Sequence, residues 1–127
     1  MRLLLDTSAL IWFLDPVPRF STRARAAIRN NRNQILVSAA SLWEIAIKHA
    51  AGKLSAAPLL ERAPELLEQM GFTELPVAIS HAVRAGSLPP HHKDPFDRML
   101  VAQAQAEGLA IVSNDSIFDR YGARRIW

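Results

Sequence analysis

Leu3, Leu4 and Leu5 run without interruption into Asp6, Thr7 and Ser8 at the start of the chain. An unbroken apolar run of this kind suits a strand covered on both faces, as in a parallel α/β sheet. In such sheets ligands gather in the crevice beyond the carboxyl ends of the strands, so an acid that closes the first strand stands where chemistry is usually done. Asp6 is equally well placed to cap a helix, and the motif alone leaves both roles open. Thr7 and Ser8 open a helical stretch, Ala9 to Leu14, that stops at Asp15-Pro16.

The strand-then-helix unit recurs. Ser21 caps a second helix, Thr22 to Asn31, that carries Arg23, Arg25 and Arg29. Gln34 to Ser38 is another buried-type strand, followed by a helix from Ser41 to Ala51 that ends at Gly52. Ser55 to Met70 is helical in composition but interrupted by Pro58 and Pro64, which predicts one broken helix or two short ones closed by Gly71. Thr73 to Val77 is a short strand whose Pro76 places it at an edge or an end. A short helix from Ser80 to Ala85 leads into a loop, Gly86 to Lys93, that holds His91 and His92. Asp94-Pro95 then starts the clearest helix, which runs to Glu107 and is stopped by Gly108. Leu109 to Val112 is the last firm strand before Ser113-Asn114-Asp115, and Arg124 to Trp127 offers a final edge strand. Strands alternating with helices, without a hairpin signal, predict a parallel α/β sheet with right-handed crossovers.

With 127 residues, half of them hydrophobic, the chain suits one domain, residues 1–127, around its own core. It has no cysteine, which removes disulfides, thiolate metal sites and cysteine nucleophiles. Asp6 interrupts the apolar start too early for a signal peptide, and no uncharged apolar run approaches the ~18 residues of a membrane span, so a cytoplasmic location is expected. The formal net charge of +3 would suit a polyanionic partner such as nucleic acid, though taken alone it signals no more than solubility.

Four acids are candidates for chemistry, and each has a structural alternative. Glu44 shares a narrow polar stripe with Ser41 and Lys48, where a Glu44–Lys48 pair on an exposed face would account for it. Position argues for more, because its helix follows a strand and overhangs the same sheet edge as Asp6. Asp94 is adequately explained as a cap. Asp97, at the third position of the same helix, is free to point across the cleft while Phe96, Met99, Leu100 and Ala104 enter the core. Asp115 follows the last strand as Asp6 follows the first, in a context that also reads as a turn. Carboxylates converging from these four places repel one another unless a cation holds them. All-oxygen ligation favours Mg²⁺ or Mn²⁺, and such an ion would serve phosphodiester hydrolysis.

With those residues in place the chain resembles the PIN-domain family, and within it the VapC-like ribonuclease toxins of prokaryotic toxin–antitoxin pairs. The resemblance runs from LLLDTSALIWFL through VSAASLWEIAIKHAAGKL and LPPHHKDPFDRMLVAQA to IVSNDSIFDRYG. It implies a three-layer α/β/α domain with a central, mainly parallel sheet, and a homodimer restrained by a cognate VapB-like antitoxin. It further implies a Mg²⁺-dependent endoribonuclease whose site is lined by Asp6, Glu44, Asp97 and Asp115. On this reading Asp6, Asp97 and Asp115 bind metal, and Glu44 binds metal or orients the attacking water. Ser8 supports a water or the Asp6 carboxylate, and the products carry 5′-phosphate and 3′-hydroxyl ends. Asp119 is an extra acid near the site or a surface residue. Lys93, Arg98, His91 and His92 are placed to meet the RNA backbone or simply to be solvated, whereas His49 and His81 are packing or surface residues. Trp12, Phe13, Trp43 and Trp127 belong to the core or to an interface. Competing readings are a basic RNA-binding module with structural acids, and an aspartyl-phosphate phosphatase using Asp6 as nucleophile. The second lacks the further acid two residues after Asp6. Rossmann and P-loop nucleotide sites are excluded, because neither glycine pattern is present.

Overall fold

In the computed structural model, which describes residues 1–127, the three leucines are fully buried in β1 (Arg2–Leu5). This strand lies at the centre of a five-stranded sheet. The other strands are β2 (Gln34–Ser38), β3 (Thr73–Leu75), β4 (Ala110–Val112) and β5 (Arg125–Ile126), in the order β3-β2-β1-β4-β5. Every pairing is parallel. Side chains alternate along β1, so each face needs its own cover. Leu3 and Leu5 join Leu10, Ala24, Ile28, Ile45, Leu59 and Leu67 on one face. These come from α1 (Thr7–Leu14), α2 (Thr22–Arg29), α3 (Ala39–Ala50), α4 (Ala57–Glu61) and α5 (Ala63–Gln69). Leu4 points the other way and packs with Leu36, Leu100, Val101, Ala104 and Phe118 beneath α7 (Pro95–Glu107) and a 3₁₀ turn at Ser116–Tyr121. The remaining helix, α6 (Ile79–Ser87), packs on α7. The architecture is the three-layer α/β/α arrangement expected from the sequence.

Several boundaries differ from the expected ones for local reasons. Asp6 caps α1, its Oδ1 accepting from Ala9 N–H at 2.7 Å, so the helix opens at Thr7. Ser38 likewise accepts from Ala40 N–H at 3.0 Å and starts α3 at Ala39 instead of Ser41. The segment with two prolines becomes two short helices meeting at Arg62. β3 ends before Pro76 and lies at an edge, as the missing N–H requires. Gly108, at φ 67°, terminates α7 in the left-handed region where a side chain is disfavoured.

The strand order places the site. The order in which strands are added switches side between β1 and β4, which opens a crevice at their carboxyl ends. Asp6 leaves β1 at that point and its N–H donates to Val112 O at 3.1 Å, while Ser113, Asn114 and Asp115 leave β4 beside it. No helix is long and apolar enough to cross a membrane.

Candidate active site

A cleft of about 450 Å³ opens at this crevice and is lined almost wholly by polar groups. Asp6, Glu44, Asp94, Asp97 and Asp115 all face it, with Ser8 and Trp12 from α1 and Lys48 from α3. The four acids proposed from sequence therefore share one cavity, and Asp94 joins them. Asp94 also does the capping expected of it, its Oδ1 accepting from Phe96 N–H at 2.8 Å and Asp97 N–H at 3.3 Å.

Carboxylates collected in a partly dry cleft resist ionisation. Asp6 is pushed up to about 7, first by burial and then by the charges of Asp97 and Asp115, against the opposing Ser113 hydroxyl and Ala9 N–H. Asp97 is pushed up to about 6 by burial and by Asp94, with His92 opposing. Strongly raised carboxyls gathered in a cleft mark a candidate functional site.

Glu44 shows the same demand geometrically. It is only 6% exposed, which corrects the picture of an ion pair on a solvated stripe. Its Oε2 accepts from Lys48 Nζ at 2.7 Å, while Oε1 is buried with no hydrogen-bond partner. An unpaired buried carboxylate oxygen is costly. A cation held among the four neighbouring acids would satisfy it. The carboxylate oxygens fit a hard divalent ion such as Mg²⁺ or Mn²⁺.

α3 departs from a simple amphipathic pattern. Ser41 and Glu44 are buried toward the site, while Trp43 is 64% exposed and Ile47 is exposed too. Trp43 meets Phe96 edge-on at 5.2 Å between ring centroids. The pair lines an apolar groove with Val77, Pro95 and Met99.

None of the four expected RNA contacts lines the cleft. Arg98 is turned away from the cleft. Its guanidinium donates to Ala85 O (2.9 Å), Leu88 O (3.0 Å), Pro89 O (3.1 Å) and His92 O (3.3 Å), and reaches Tyr121 Oη at 3.5 Å. It therefore fixes the loop before α7, because these backbone carbonyls need donors and a planar guanidinium can reach several at once. His92 sits in that loop but faces inward. Its Nε2 lies 2.8 Å from Asp97 Oδ2 and 4.0 Å from Asp115 Oδ2, while its N–H donates to Tyr121 Oη at 2.9 Å. His92, Asp97 and Asp115 offer ligand atoms within 4.8 Å of one another. His91 packs edge-on against Tyr121, and Lys93 is exposed beyond the cleft.

Ser8 lines the cleft, and beside it Thr7 makes the buried hydroxyl contact, 3.1 Å to Ser41 Oγ. Asp119 is held by Arg125 through two bonds of 3.0 and 3.1 Å, which lower its carboxyl, and it lies outside the cleft. His49 bonds Ala56 N–H, and the buried His81 bonds Glu107, so both are packing residues. Sequence reasoning missed the inward turn of His92 and the place of Lys48 in the cleft. The i, i+4 spacing from Glu44 was the available signal for Lys48.

The family model for the PIN domain matches residues 3–124, and the chain belongs to the PIN domain family. Over 59 residues it is 41% identical to Ribonuclease VapC16 of Mycobacterium tuberculosis, a stretch covering 46% of this chain and 40% of that protein. The match thus spans less than half of that relative's length. Two solved structures share the fold. One is VapBC2 from Rickettsia felis bound to a DNA fragment, with TM-score 0.69 and 15% identity over 98% of this chain and 97% of that one. The other is a toxin–antitoxin complex from Klebsiella pneumoniae, with TM-score 0.58 and 18% identity over 90% and 87% of the two chains.

Proposed function

We propose that this chain is a divalent-metal-dependent endoribonuclease, the toxin of a VapBC-type pair. The observation that carries the reading is the convergence of five carboxylates on one cleft, with the buried Glu44 Oε1 left unpartnered. The family membership and the ribonuclease named among the relatives support it. Asp6, Glu44, Asp97 and Asp115 would hold Mg²⁺ or Mn²⁺. A cation bound there supplies Lewis-acid polarisation of a phosphoryl oxygen and a water acidic enough to attack at neutral pH. The chain's own part is positioning. Asp6 is fixed by its cap bond to Ala9, and Asp97 by the first turn of α7 and by His92. Glu44 is steadied on one oxygen by Lys48 and keeps the other for the ion or the attacking water. Ser8 stands at the rim, where its hydroxyl can hold a water. In-line attack on phosphorus would break the bond to the 3′-oxygen and leave 5′-phosphate and 3′-hydroxyl ends.

The same reading treats residues 1–127 as a single PIN-like domain in the cytoplasm, with a VapB-like antitoxin as its partner. It assigns the exposed Trp43–Phe96–Val77 groove to a second copy of the chain, because contiguous exposed apolar surface marks an interface. Sedimentation equilibrium of the purified chain should give the mass of two chains, and a Trp43→Asp chain the mass of one. A single-chain mass for both would remove the homodimer.

The catalytic claim is tested with antitoxin-free protein and total cellular RNA, in Mg²⁺ and in EDTA, with the new ends mapped. Discrete cuts that need the metal are expected. Salt-sensitive RNA retention with no new ends would make the chain a binding module instead.

A further inference from the structure

The cleft that collects five carboxylates contains one cationic side chain, that of Lys48. A nucleic-acid strand entering it brings more negative charge. The other cations near the cleft are engaged or outside it. Arg98 is held by loop carbonyls, Arg125 grips Asp119, Lys93 is exposed beyond the cleft, and Arg19 lies over the Trp12 ring at 4.7 Å. Lys48 stands in the last turn of α3, one turn after Glu44, with its side chain 48% exposed. An ammonium has three donors. One goes to Glu44 Oε2 at 2.7 Å, and the structure shows no other protein acceptor for the remaining two. Lys48 is therefore a fixed cation, steadied by the same carboxylate that offers its second oxygen to the metal.

We propose that Lys48 is the phosphate-binding cation of the cleft, donating from Nζ to a non-bridging oxygen of a single-stranded RNA phosphate while Glu44 holds its stem in place. The inference rests on the ribonuclease reading above and adds to it the residue that admits a polyanion to an acidic cleft. It carries a signature that support of the fold would not. Removing Lys48 deletes a positive charge from a site that also attracts divalent cations, so RNA and metal affinities should move in opposite directions.

The test uses the full chain and a short fluorescein-labelled single-stranded oligoribonucleotide, with anisotropy titrations in Ca²⁺ between about 50 and 200 mM salt. Mn²⁺ affinity is measured separately by paramagnetic resonance of the free ion. Lys48→Met should weaken RNA binding about tenfold at the lower salt, the loss of one charge-assisted phosphate contact. It should flatten the slope of log affinity against log salt by about 0.7, the value for one single-strand phosphate contact. Mn²⁺ should bind as tightly or a few-fold more tightly, and Lys48→Arg should restore RNA affinity and slope. Unchanged RNA affinity and slope in Lys48→Met would overturn the proposal. So would parallel losses of RNA and Mn²⁺ binding that arginine does not rescue, which would make Lys48 a positioning residue for Glu44. Failure of the unaltered chain to bind RNA at any salt would instead bring down the ribonuclease reading itself.

Discussion

Replacing Asp97 by Asn should lower RNA cleavage on the order of a thousandfold while leaving the fold intact. Loss of one charged metal ligand removes several kcal/mol of transition-state stabilisation, and each ~1.4 kcal/mol is a factor of ten in rate. An amide of the same shape keeps a carbonyl oxygen for the His92 Nε2 contact now made at 2.8 Å, but it lacks the negative charge a divalent ion needs. The fold has little reason to suffer. The first turn of α7 is already capped by Asp94, and Leu100, Val101 and Ala104 carry its packing. Burial and Asp94 hold the Asp97 carboxyl up at about 6, so the ionised group is a burden on the metal-free protein. The variant should melt at the same temperature as the parent chain or slightly higher in EDTA at pH 8. Cleavage within tenfold of the parent, measured as kcat/KM, would remove Asp97 from the metal set.

The metal-free protein should lose stability as pH rises. Asp6 goes from 3.8 in the unfolded chain to about 7 in the folded one, and Asp97 from 3.8 to about 6. A carboxyl with a raised folded-state value takes up protons on folding. Its contribution is complete below about pH 4 and is lost as pH climbs through 6 and 7. For Asp6 alone the difference corresponds to about 4 kcal/mol, at ~1.36 kcal/mol per unit. A divalent cation reverses the trend because it binds the ionised carboxylates. Added Mg²⁺ should therefore raise stability much more at pH 8 than at pH 5. Denaturant midpoints in EDTA and in Mg²⁺ across this range check both signs. A flat EDTA profile, or a Mg²⁺ effect independent of pH, would show that the acids do not share a site.

The parallel sheet was legible because its signals are local. Leu3 to Leu5 before Asp6, Gln34 to Ser38 before α3, and Asp94-Pro95 with Gly108 around α7 each announce an element without reference to anything distant. The site was partly legible for the same reason, since Asp6 and Asp115 close strands and the sheet brings strand ends together. Side-chain fates that depend on what lies across the cleft were not legible. Glu44 and Trp43 are neighbours on one helix, yet the acid is buried and the indole exposed, because the cleft occupies one side of α3 and the core another. Arg98 resembles a phosphate contact in sequence. Only the folded loop shows its donors taken by the carbonyls of Ala85, Leu88, Pro89 and His92. In sequence His92 is simply a loop residue, while its turn toward Asp97 accompanies the backbone bond it makes to Tyr121, 29 residues away.

The central claim is that these carboxylates form a divalent-cation site, and anomalous scattering from crystals of the chain soaked in Mn²⁺ tests it most directly. The expected result is a manganese peak inside the cleft, within bonding distance of Asp97 and of at least two of Asp6, Glu44 and Asp115. A peak only at surface acids such as Asp119, or none in the cleft at saturating Mn²⁺ and pH 8, would contradict it.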